Sequence, residues 1–147
     1  MEAAAYIDNY FAKYSGVKQF MDDMVQLAHQ QGYVTTVFGR RRYLPEINSR
    51  NFNRRSFAER TAMNTPIQGT AADVIKKAMI DVYFELKAKK YVTRLLLQVH
   101  DELIFEVPKE ELQEVSLVIK QAMEQAVNLS VPLVADTNVG RNWAEAK

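Results

Sequence analysis

Leu95-Leu96-Leu97-Gln98-Val99-His100-Asp101-Glu102-Leu103-Ile104-Phe105-Glu106-Val107 sets a His-Asp-Glu triplet between two apolar runs. Runs this short, bounded by a polar tip, predict two β-strands joined by a tight turn. A solvated turn is the plain reading of polar residues in that place. Two features argue for more. The flanks are strongly apolar, which predicts buried, rigid strands. The tip also mixes an imidazole with two carboxylates and contains no Gly, Asn or Pro. A hairpin that lifts a carboxylate onto its tip offers a hard oxygen ligand to a cation such as Mg²⁺. Asp101 is therefore the candidate metal ligand. Two-metal phosphoryl transfer uses carboxylates to hold ions ~3.5–4 Å apart, so a second acid must come from elsewhere. Glu102 follows along the strand, where successive side chains point to opposite faces, and it assists only if the turn redirects it.

Working outward, Ile7, Tyr10, Phe11 and Tyr14 recur at helical spacing, and Ser15-Gly16 ends that helix. Val17, Phe20, Met21, Met24, Leu27 and Ala28 mark a second amphipathic helix, stopped at Gly32. Both stripes read as core packing, with no cofactor signal. Residues 33–37 are β-prone, Phe38-Gly39 turns the chain, and residues 42–45 return as a short partner strand. Residues 47–53 read as a polar surface loop. A helix is predicted from Arg54 to Met63, interrupted at Asn64-Thr65-Pro66 because proline removes a donor and disfavours helical geometry before it. A second long helix then runs to about Lys89, with a buried stripe of Ala71, Val74, Ile75, Ala78, Met79, Val82 and Leu86.

Beyond the hairpin, Pro108 and the early acids Glu110 and Glu111 suit a helix start. That helix turns Leu112, Val115, Ile119, Ala122, Met123 and Ala126 inward. Residues 131–135 read as a strand, at an edge because of Pro132, and Trp143 anchors the tail. His29, at the polar end of its helix, reads as a surface residue. The whole predicts an α+β fold: helices packed on a small antiparallel sheet centred on the Leu95–Val107 hairpin.

Two further patterns carry chemistry. Seven arginines (Arg40, Arg41, Arg42, Arg50, Arg54, Arg55, Arg60) stand against Glu46 and Glu59, a net +5 between residues 40 and 60. A solvated basic face is one reading. The absence of lysine from the run favours anion recognition, since the guanidinium fork matches phosphate. Arg60, Asn64 and Gln68 are spaced by four, which on a helix aligns side chains on one face; the proline breaks strict alignment, yet all three can still line one groove. Every base pair presents an acceptor in the minor groove, so such donors test pair shape without reading sequence. Gln68 has a competing role in a Thr65-to-Gln68 capping box, and Asn64 as an ordinary cap.

At 147 residues the chain is one domain's worth and long enough to fold without staples. It has no cysteine, hence no disulfide framework and no thiolate metal site. No apolar run approaches ~20 residues, so no membrane span is predicted. Residues 1–6 read like the middle of a helix with a Met attached, which suggests an excised fragment, and nothing there resembles a signal peptide.

These residues together resemble family A DNA polymerases of the bacterial, Bacillus-like type. Gln98-Val99-His100-Asp101-Glu102 is similar to the family's motif C. The run from Arg54 to Asp73 resembles its passage from fingers to palm, and Gly39 to Pro45 and Gly140 to Trp143 fit as well. The resemblance covers essentially the whole chain. It implies a template-directed polymerase that transfers dNTPs to a primer 3′ end, with primer–template DNA and dNTP as partners and two Mg²⁺ ions as cofactors.

It implies Asp101 as one of two catalytic aspartates and a metal ligand, Glu102 as the accessory acid, and His100 near the primer terminus. Arg60, Asn64 and Gln68 would contact the duplex around the nascent pair, and Gln98 would share that job. Residues 1–65 would be fingers-derived helices and a hairpin, and 66–147 a palm portion with motif C, in one partial domain. Motif A, with the other aspartate, and the triphosphate-gripping motif B do not occur in this chain. The isolated chain is therefore expected to be inactive, to expose an unpaired strand edge that favours homo-oligomers, and to belong to a cytoplasmic protein. A metal phosphohydrolase using a His-Asp pair has only His29 and His100 to draw on. A non-catalytic duplex-binding module and a purely structural scaffold are the rivals from other classes.

Overall fold

In the computed structural model, which describes residues 2–146, the elements follow the order α1 (Glu2–Lys13), α2 (Ser15–Gln31), β1 (Tyr33–Thr35), β2 (Arg41–Tyr43), α3 (Phe52–Ala88), β3 (Arg94–Val99), β4 (Glu102–Glu106) and α4 (Leu112–Glu124). This is α+β, with two separate two-stranded antiparallel sheets, β1–β2 and β3–β4. The chain divides into two compact units, residues 1–70 and 71–147, and the division falls inside α3.

The first unit is built on α2, the β1–β2 hairpin and the first part of α3. Gly32 ends α2 at φ +77, the left-handed conformation that glycine adopts without a Cβ penalty, and its N–H closes on the Ala28 carbonyl. The chain then enters β1, whose register with β2 pairs Tyr33 with Tyr43 and Val34 with Arg42. Ala28, Val34, Leu44, Ile47, Ala58 and Ala62 form the core. Ile47 is only 2% exposed, so the segment read as a polar surface loop contributes one of the largest core side chains. The hairpin tip docks on α3. Arg40 Nη2 donates to the Gly69 carbonyl (3.0 Å), and the Val37 N–H donates to Thr70 Oγ1 (3.0 Å). A Cβ at Gly69 would lie 2.7 Å from Thr36 Cγ2, so this approach needs glycine.

The predicted break at Asn64-Thr65-Pro66 does not occur. α3 is one helix of 37 residues with Pro66 inside it. Proline there removes one backbone donor, but the helix is held on both sides: Ala58, Ala62 and Thr65 are buried before it, and Ala78, Val82 and Leu86 after it. Thr65 Oγ1 donates to the Thr61 carbonyl (2.7 Å), and Thr70 Oγ1 to that of Pro66. Tertiary packing outweighs a local penalty of ~3 kcal/mol. The α1 stripe differs as well. Tyr6, Ile7, Tyr10 and Tyr14 stay exposed, so the helical period is present without a covering surface in the first unit.

In the second unit, Val82, Leu86, Val115 and Ile119 form the core, with Tyr91, Phe105, Val107, Ala122 and Met123 packed against it. Each fully buried aliphatic contributes roughly 1.5–3 kcal/mol. β3 and β4 pair from Arg94–Glu106 to Val99–Glu102, with an irregularity at Leu96. The strands are less buried than their composition predicts: none of their residues is fully buried, and Leu96 and Leu97 are exposed. A lone hairpin covers only one of its faces, the one carrying Phe105. Of the predicted α3 stripe, Ala71 is exposed. α4 begins at Leu112, after a turn in which the Glu111 N–H donates to the Pro108 carbonyl, so Pro108 lies outside the helix. Residues 131–135 form no strand, because no neighbouring strand supplies backbone partners. The Ala135 N–H instead donates to Glu124 Oε1 (3.1 Å). Trp143 remains 45% exposed.

Candidate active site

The strongest chemical feature of the second unit is the hairpin tip. Val99 pairs with Glu102, which leaves His100 and Asp101 as the two central residues of the turn. His100 has φ +54, at the position where two-residue hairpin turns favour glycine. A non-glycine residue there costs on the order of 1–3 kcal/mol, and such strain is typical of functional sites. The Gln98 side chain crosses back to the turn and donates from Nε2 to the His100 carbonyl. Asp101 is exposed and takes part in no hydrogen bond or ion pair among the described residues. Glu102, the first residue of β4, is also exposed.

These donors suit a hard divalent cation in part. Two adjacent carboxylates could offer oxygen ligands, yet no group of three or more metal-capable side chains occurs among the described residues. Asp101 and Glu102 alone are fewer ligands than such a cation takes.

In the first unit, Arg60, Asn64 and Gln68 are all exposed and lie on one uninterrupted helix. Steps of four residues rotate only slightly around the helix axis, so the continuous helix aligns them better than the predicted break allowed. The capping readings fall away: Asn64 and Thr65 are mid-helix, and Thr65 bonds one turn back. Arg60 Nη1 donates to Ser56 Oγ (2.9 Å), one turn earlier on the same face.

The arginine run is divided in its employment. Arg40 clamps Gly69. Arg41 lies 4.7 Å from the centre of the Tyr33 ring, and its guanidinium is held above the ordinary arginine value, mainly by a hydrogen bond with Tyr43. Arg55 Nη1 donates to the Ser49 carbonyl (3.0 Å) with Glu59 at 3.8 Å, and Arg54 reaches Glu46 at 3.6 Å. Arg42 and Arg50 are exposed and without a partner among the described residues. Part of the run is therefore structural, and part faces solvent as free positive charge.

Two residues with simpler sequence readings have structural jobs. His29 is a half-buried bridge, with Nδ1 2.8 Å from Asn48 Oδ1 and Nε2 3.2 Å from Glu59 Oε1. Glu111 accepts hydrogen bonds from the Val92 N–H (2.8 Å), the Thr93 N–H (3.0 Å) and the Thr93 hydroxyl (2.6 Å). These bonds, the Thr93 hydroxyl first, hold its carboxyl below the usual carboxylate value and pin the entry to β3. Its helix-start position carried no signal of a partner so distant in sequence. Beside it, Tyr91 is pushed up to about 12, by burial first and then by Glu114.

The class is thus an α+β domain with a carboxylate-bearing hairpin and a polar helical face. The model of DNA polymerase family A matches residues 1–145, and the chain belongs to that family. It is 62% identical over 146 residues to DNA polymerase I of Geobacillus stearothermophilus and 60% identical to that of Bacillus subtilis (strain 168), covering 99% of this chain in both cases. It spans only 17% of the length of these relatives. Among solved structures it is similar to the POL domain of Pol1 from M. smegmatis in complex with DNA primer-template and dNTP. There the TM-score is 0.96 and the identity 46%, over 99% of this chain and 26% of that one. No described helix is long and apolar enough to cross a membrane.

Proposed function

We propose that this chain is the part of a template-directed DNA polymerase that carries one acid of the catalytic pair and a row of duplex contacts. The observation that carries the reading is Asp101, an exposed carboxylate at a strained two-residue turn with no partner among the described residues. In this reading Asp101 is a Mg²⁺ ligand and Glu102 the accessory acid beside it. When bound, such ions would supply charge stabilisation to the displacement, with Asp101 holding one of them. His100 adjoins the primer terminus. Arg60, Asn64 and Gln68 present donors to the minor-groove acceptors common to all base pairs, which checks pair shape without reading sequence, and Gln98 shares that contact. Primer–template DNA and dNTP as partners are supported by the complex in which the similar M. smegmatis domain was solved.

Residues 1–65 are read as fingers-derived and 66–147 as the palm portion, and the protein as cytoplasmic. The two-stranded β3–β4 sheet, with Leu96 and Leu97 exposed, favours association through a free strand edge. Light scattering at high concentration is expected to find a dimer or larger species, and a clean monomer refutes that part.

The test of the main reading is binding and incorporation by the same chain. Primer–template binding is expected to weaken steeply with salt, and Arg60→Ala to cost about 1–3 kcal/mol of it. The 147-residue chain alone is expected to incorporate no nucleotide. Incorporation that vanishes in Asp101→Ala overturns the expectation of inactivity. Binding without any Mg²⁺ dependence favours a non-catalytic duplex module.

A further inference from the structure

We infer that Gln98 is a positioning residue for Asp101: its side-chain amide selects which way the central peptide of the tip turn faces, and so fixes where the Asp101 carboxylate points. Val99 and Glu102 form the closing pair, so the His100 carbonyl belongs to the peptide at the centre of the turn. The two common two-residue hairpin turns differ by a flip of that peptide. One has positive φ at both central residues, the other only at the first. Here φ is +54 at His100 and is not positive at Asp101. The flipped form would carry Asp101 to positive φ, a region aspartate tolerates better than most residues. The alternative turn is therefore close in energy, and it would swing the carboxylate away.

Gln98 Nε2 donates to the His100 carbonyl at 2.5 Å. Only the NH₂ end of an amide can face a carbonyl, so the direction of this bond is fixed, and it is lost when the peptide flips. One such bond biases the equilibrium roughly 2- to 10-fold. It leaves the second N–H and Oε1 of Gln98 open, so the same side chain can also touch DNA. The effect on a bound cation rests on the reading of Asp101 as a metal ligand; the effect on the turn does not.

The test is solution NMR on the 147-residue chain with Gln98→Met, which keeps the length of the side chain and removes its donor. Asp101→Asn serves as the control. In wild type the HN–Hα and residual dipolar couplings of Asp101 are expected to report negative φ, and in Gln98→Met a second population with positive φ. Mn²⁺ is expected to broaden the amides of residues 100–102. Gln98→Met should weaken that effect by up to ~2-fold, through the fall in the fraction of chains holding the competent turn. Unchanged Asp101 couplings in Gln98→Met overturn the inference. If the couplings change but Asp101→Asn binds Mn²⁺ like wild type, the reading of Asp101 as a ligand fails while the turn clamp stands. A higher primer–template Kd in Gln98→Met with wild-type couplings makes Gln98 a DNA contact only.

Discussion

Gly69→Ala in α3 sets two effects of known size against each other. Alanine is favoured over glycine inside a helix by about 0.8–1.0 kcal/mol. The new methyl, however, would lie 2.7 Å from Thr36 Cγ2 and 3.4 Å from Arg40 Nη2. Thr36 cannot swing away freely. It is 4% exposed, its N–H donates to the Arg40 carbonyl (3.0 Å), and its Oγ1 accepts the Arg40 N–H (3.2 Å). Overpacking of this kind costs about 1–3 kcal/mol, so the clash wins and Gly69→Ala should destabilise by about 1 kcal/mol. Thr36→Ser keeps the hydroxyl and deletes the obstructing methyl. In that background Gly69→Ala should become stabilising by up to ~1 kcal/mol, a coupling of about 2 kcal/mol in a double-mutant cycle. Urea unfolding gives the free energies. Hydrogen exchange at the Val37 amide, which donates to Thr70 Oγ1, reports whether the hairpin tip stays docked. Equal destabilisation by Gly69→Ala in both backgrounds rules out the clash with the Thr36 methyl.

Other outcomes follow from the same contacts. Ile47→Ala should cost about 2–5 kcal/mol in urea unfolding despite its loop position, because the residue is 2% exposed in the core. Val82→Ala, fully buried against Leu86, Val115 and Ile119, should cost about 1–3 kcal/mol. Glu111 introduces a pH dependence of known sign. Its folded carboxyl lies below the ordinary 4.5, so the unfolded chain binds that proton more tightly. Its stabilisation is complete above that value and is lost as pH falls through the lowered folded one. Glu111→Gln should flatten this part of the acid limb in a thermal-melt series, and an unaltered pH profile contradicts it.

The β3–β4 hairpin was legible because its signal is local: two short apolar runs and a polar tip. Asp101 was legible as an exposed tip residue for the same reason. Gly32 and the β1–β2 turn likewise announce themselves through glycine. What sequence could not show depends on partners far along the chain. Pro66 obeys a local rule that packing of α3 on either side overrides. Ile47 hides among polar neighbours, and its burial is created by α2, β1 and α3. Glu111 looks like an ordinary helix-start acid until the segment at Val92 and Thr93 is brought to it. The apolar residues 131–135 have strand composition but no strand beside them. The α1 stripe shows the converse, a helical period whose covering surface is absent from the unit that contains it.

On the proposed function, the Asp101 carboxylate takes part in the chemistry of nucleotide transfer. The most direct measurement is single-turnover primer extension by the polypeptide carried to the full length of its relatives, wild type against Asp101→Asn. Incorporation in Asp101→Asn is expected to fall by roughly 10²–10³-fold or more, with primer–template affinity little changed. Incorporation at the wild-type rate in Asp101→Asn contradicts that role.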